Sequence, residues 1–178
     1  MDYQQANEVS ISKLAGVMMR YYNDTRLSEH ALKVYAYSRC IGAGEQLPAN
    51  EMLILCAASI LHDIGIPKAL ELYGSAMGEY QETEGALLAP GMLEEASVQP
   101  DIFERVVWLV GHHHTAALAD SDMLLQILME ADYLVNLAEG NCPAEDIKVI
   151  RDGCFKTPTG IQYIEALFGL LAIQNTKT

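Results

Sequence analysis

The chain has little positive charge. Eleven Lys and Arg face 24 Asp and Glu over 178 residues, a formal net charge of −13, which argues against the basic grooves that hold DNA or RNA and gives anionic lipid nothing to attract. Long apolar runs are also missing. The longest, Met52 to Leu61 broken by Ser59, is about half of the roughly 20 residues that a membrane-spanning helix needs. The opening MDYQQANEVS has neither a basic start nor an apolar centre, so no secretory signal is expected and a cytoplasmic setting follows. Cysteine is sparse: Cys40, Cys56, Cys142 and Cys154 show no CxxC or other zinc-like spacing and are expected to be reduced, half-buried hydrophobes. No stretch alternates with the period of a strand, and no repeat, low-complexity segment or linker appears. The expectation is therefore one all-α domain over residues 1–178, a compact helical bundle acting on a small molecule rather than a polymer.

Helical periodicity fills most of the length. Ile11 to Tyr22 and about Thr25 to Ile41 each carry an apolar stripe, the second including His30. Asn50 is a candidate cap for a helix through Met52, Leu53, Ile54, Leu55 and Ile60 that has almost no polar face and so should lie inside other helices. It runs straight into His62-Asp63. Gly65, as a left-handed cap, and Pro67, without an amide hydrogen, are expected to stop it. Pro67-Lys68 then suits the start of a short helix, Tyr73-Gly74-Ser75 a loop, and Pro90-Gly91 a break in the next helical run. Pro100-Asp101 launches a helix ending in Gly111-His112-His113-His114, with period 3 from Val110 placing His113 on the buried side. Ser121 or Asp122 begins another, to Gly140, in which Asp132 shares a face with Leu125, Leu128, Met129 and Asn136. Pro143 opens a helix to about Asp152, and Thr157-Pro158 the last, through Leu171.

All five histidines fall in three otherwise apolar places: His30, His62, and the run His112 to His114. A lone histidine on an apolar face is commonly a satisfied core residue, and a histidine run is commonly a solvated cluster. Three such places together with Asp63 and Asp132 point elsewhere. A buried carboxylate needs a cation or strong donors, and imidazole with carboxylate and no thiolate suits a divalent ion such as Mn, Fe, Co, Ni or Zn with coordination positions open to water.

The order His30, His62-Asp63, Asp132 resembles the H...HD...D signature of the HD-domain metal-dependent phosphohydrolases. HDIGIPKA, GEYQETEG, VGHHHT and EADYLVN together are similar to a small stand-alone bacterial subgroup of them, over roughly Asp24 to Gly160. The resemblance implies a helical HD fold, its motifs within about residues 24–140 and C-terminal helices over 143–174 packed on it. It implies His30, His62, Asp63 and Asp132 as ligands of one divalent metal (Mg also among the candidates), Asp63 as the residue that orients or deprotonates water, and hydrolysis of a phosphoester of a small phosphorylated metabolite such as a nucleotide. Two departures stand out. Many relatives have a lysine or glutamate where this chain has Ile66, with Lys68 displaced by two residues, and two-metal relatives often have a histidine where this chain has Gln81. One metal is therefore expected, with His112, His113 and His114 as a possible second metal or phosphate contact. Arg26, Lys68, His113 and Gln81 are the candidate substrate contacts, beside Tyr80 and Glu82, although ordinary surface charge or an exposed loop explains these equally well. A homo-oligomer is compatible with the sequence. Two other readings stay open: a non-catalytic metal- or nucleotide-binding regulatory module, and a di-iron oxygenase of the same fold, which Gln81 disfavours.

Overall fold

The computed structural model of the protein describes residues 3–140 and 142–170, and every regular element among them is helical. In order they are α1 (Tyr3–Tyr22), α2 (Thr25–Gly44), α3 (Ala49–Leu61), α4 (Ile66–Tyr73), α5 (Gly78–Glu95), a 3-10 turn (Pro100–Ile102), α6 (Phe103–Val110), α7 (Ala116–Ala119), α8 (Met123–Glu139), α9 (Ala144–Cys154) and α10 (Pro158–Leu167). Helix α3 is the central rod. Leu53 through Leu61 are buried without a break, and α1, α2, α6 and α8 pack around them. At about 1.5–3 kcal/mol for each large aliphatic side chain taken out of water, this rod anchors the core. The stretch Ala49–Tyr73 is long and apolar enough to cross a membrane by length and composition, but 72% of that window is buried inside the fold, as befits a core helix.

Local chemistry sets the boundaries. Asp24 accepts the Leu27 amide (3.0 Å) and caps α2, Asp122 accepts the Leu125 amide (3.1 Å) and caps α8, and Thr157 caps α10 through the Gly160 amide (3.0 Å) with Pro158 in the first turn. Gly74 ends α4 in the left-handed region at φ 66°.

Several expectations need correction. Helix α1 begins well before Ile11, at Tyr3. Asn50 does not cap α3, since Pro48 holds the cap position without a side-chain bond. Gly65 has φ −75° and is no left-handed cap. Its bareness serves contact instead: a Cβ there would collide with the Gln81 carbonyl and stand 2.6 Å from the Gly85 amide nitrogen. Pro67 starts α4 rather than stopping α3. Pro90 does not break α5, which runs through it. Pro90 lies on the exposed side while Ala89, Met92 and Leu93 stay buried, so packing of the opposite face holds the helix through the missing hydrogen bond. Cys40 is exposed rather than half-buried, and Cys56 is buried, which pushes its thiol up to about 11. The last helix ends at Leu167, and Leu171 lies outside the described residues.

The C-terminal helices are tied to α8 by one buried acid. Glu130, fully buried, accepts the amides of Lys156 (2.6 Å) and Thr157 (2.9 Å), the Gln126 side-chain amide (2.8 Å) and the Thr157 hydroxyl. Glu130→Ala strands these donors, and a loss of about 3 kcal/mol or more is expected. Thermal unfolding followed by circular dichroism should show a midpoint lowered by roughly 6 °C or more.

Candidate metal centre

Four elements deliver the polar groups. His30 comes from the middle of α2, His62 and Asp63 from the turn that ends α3, His113 from the turn after α6, and Asp132 from the middle of α8. His30 Nε2 lies 3.1 Å from Asp132 Oδ1 and 3.6 Å from Asp63 Oδ2. His62 Nε2 lies 3.3 Å from Asp63 Oδ2 and 3.6 Å from Asp132 Oδ1. On its other side Asp63 presents Oδ1 to His113 Nε2 at 3.4 Å. The structure thus brings together all four residues expected from the H...HD...D order, and adds His113.

The imidazoles are oriented from outside. The Nδ1–H of His62 donates to the Ser59 carbonyl (2.9 Å) and that of His113 to the Val110 carbonyl (2.8 Å), each three residues earlier on its own helix. Their Nε2 atoms point inward, buried and without a hydrogen-bond partner. Buried nitrogens are rarely left so, and an outward-bonded Nδ1 with a free inward Nε2 is the arrangement of a metal-ligating histidine. The donor set fits a divalent cation. The ligand atoms of His30, His62 and Asp132 lie within 4.8 Å of one another, as do those of Asp63, His113 and His114. Asn136, one turn along α8, donates to Asp132 Oδ1 (2.9 Å) and steadies it.

Charge follows geometry. Burial opposes the charged form of His62, yet Asp63 and Asp132 outweigh it and its pKa is raised well above the usual value. Burial likewise opposes the charge on His30, and the bond to Asp132 prevails. Against burial, His62 and His113 hold the Asp63 carboxyl well below the usual carboxylate range, and His30 and His62 do the same for Asp132. His114 differs: burial and the neighbouring His113 lower its pKa. The result is an anionic pair compensated only by imidazoles, which a divalent ion would replace as countercharge.

The remaining candidates are placed variously. Gln81, buried, donates through Nε2 to His114 Nε2 (2.7 Å), and Glu82 accepts the His114 amide (2.7 Å) and the Thr115 hydroxyl (3.5 Å). Both therefore hold the loop after α6 against α5. His112 is turned away: its ring stacks on Trp108 (centroids 4.6 Å apart) and its Nδ1–H donates to the Trp108 carbonyl (2.7 Å). Tyr80 stacks on Tyr73 at 4.5 Å. Lys68 is ion-paired with Glu71 on its own helix (3.0 Å), and Arg26 is exposed near the start of α2. Residues not foreseen are Asn136 and Glu139, which follow Asp132 by one and two turns on the same face. That spacing was readable in the sequence.

The helices bring two carboxylates and three imidazoles together in a group that could hold a divalent ion. Residues 27–137 match the HD domain family, and the chain belongs to it. HD domains fall in a superfamily of metal-dependent phosphohydrolases. No curated protein and no solved structure shows significant similarity to the chain.

If the cluster is a metal centre, His62→Ala and Asp132→Ala should each abolish stoichiometric uptake of divalent ion. Elemental analysis of untagged protein checks this, with far-UV circular dichroism confirming that the helices persist. Gly65→Ala should displace the Asp63 turn from α5 and weaken uptake as well as stability, read by the same two measurements.

Proposed function

We propose that the chain is a phosphohydrolase that cleaves a phosphoester of a small anionic metabolite, a nucleotide among the candidates, in the cytoplasm, using one divalent ion (Mn, Fe, Co, Ni, Zn or Mg). The observation that carries this reading is the convergence of His30, His62, Asp63 and Asp132, with the buried Nε2 of His62 left without a hydrogen-bond partner. When bound, such an ion lowers the pKa of a coordinated water and neutralises charge on phosphoryl oxygens.

The protein's own groups divide the remaining work. Asp63 faces His30 and His62 through one oxygen and His113 through the other, so it orients the attacking water between the ligand set and His113. Its lowered pKa favours holding that water's hydrogen bond over keeping its proton. The water oxygen forms a bond to phosphorus as the P–O ester bond breaks; the water's proton passes to solvent, and the departing ester oxygen takes a proton from solvent to leave as the alcohol. His113 lies on the side of Asp63 away from the His30 pair and is the group placed to meet the phosphoryl oxygens. Lys68 and Arg26 are the cations at the periphery that offer charge to an anionic substrate. The single-ion reading rests on Gln81, whose amide already engages His114. With net charge −13, a nucleic acid polymer or an anionic membrane would be repelled.

Phosphate release from a panel of nucleotides, sugar phosphates and dinucleotides, with added Mn, Co, Ni or Mg, tests the proposal. Wild type should turn over at least one class, and Asp63→Ala should lose about 10²–10⁴-fold of that rate. Absence of release from every compound by wild type would sink it.

A further inference from the structure

Glu139 is the last residue of α8, where the helix dipole presents its negative end and no basic residue of α8 relieves it. A carboxylate there is locally unfavourable, and such local conflicts mark positions kept for another reason. Its two oxygens are both engaged. Oε2 accepts from His30 Nδ1–H (3.2 Å), and Oε1 accepts from Lys33 Nζ (2.9 Å), one turn beyond His30 on α2.

His30 needs this more than its neighbours do. His62 and His113 sit at helix ends, where a carbonyl three residues back takes the Nδ1 proton. His30 lies inside α2, where backbone carbonyls are committed to the helix, so its outer nitrogen must find a side chain. Helix α8 supplies it: Asp132 faces Nε2 at 3.1 Å and Glu139, two turns later, faces Nδ1 at 3.2 Å. One helix therefore grips the ring from both sides.

The geometry points to Glu139 as a positioning residue of the metal centre, fixing the Nδ1–H form of His30 and aiming Nε2 at the ion, with Lys33 anchoring the carboxylate. The inference rests on the proposed metal site. It concerns affinity for a divalent ion rather than contact with it, since Glu139 is the outer partner of a ligand.

Equilibrium dialysis of cobalt(II) against the untagged, metal-stripped full chain tests it without recourse to turnover. Glu139→Ala should bind cobalt roughly 10–100-fold more weakly than wild type. Glu139→Gln, which keeps an acceptor oxygen, should recover most of that loss. Lys33→Met should stay within about threefold of wild type, because Lys33 touches only the anchor. Metal-free thermal midpoints should be alike, as the Glu139 side chain is 37% exposed. Affinity of Glu139→Ala equal to wild type, or a loss in Glu139→Gln as large as in Glu139→Ala, overturns the inference while the metal site stands. A wild type that binds no more cobalt than His62→Ala overturns the metal site itself, a separately recognisable result.

Discussion

Everything in this molecule turns on two carboxylates, Asp63 and Asp132, held out of bulk water and facing the same imidazoles. Isolated burial of either charge would cost several kcal/mol. The structure meets that cost with histidines drawn from three helices or their ends, so the electrostatic requirement becomes a topological one: α2, α3, α6 and α8 have to meet at one point. The apolar rod of α3, with no exposed side from Leu53 to Leu61, is what makes them meet. Burial of that rod and convergence at its end are one event.

How the imidazoles are aimed is as informative as where they lie. Helix ends give His62 and His113 their orientation without any further side chain, because the carbonyl three residues back is geometrically at hand. A mid-helix histidine has no such resource and has to borrow an acceptor from across the bundle. The division explains why polar groups, as well as aliphatic packing, join α2 to α8.

Much of this was legible in the sequence. The all-helical class followed from 3.6-residue periodicity and the want of alternation, and the grouping of His30, His62-Asp63 and Asp132 was implied by the resemblance to HD-domain proteins. Turn chemistry was read less well, for physical reasons. Gly65 is bare because two backbones touch, which no local signal reveals. Pro90 stays inside α5 because tertiary packing outweighs one missing hydrogen bond. His112 and His113 are adjacent letters with opposite fates, one stacked outward on Trp108 and the other turned to Asp63, and periodicity distinguishes them only once Val110 is known to be inside. Glu139 was overlooked because an acid at a helix terminus reads as a solvated end.

The contact between the Gly65 turn and the Gln81–Gly85 backbone has a further bearing. Because the two strips of main chain abut without side chains between them, the Asp63 turn and the start of α5 form one mechanical piece. Drift in the α5 segment would be transmitted to the His62–Asp63 end of α3 as displacement rather than absorbed by soft side chains.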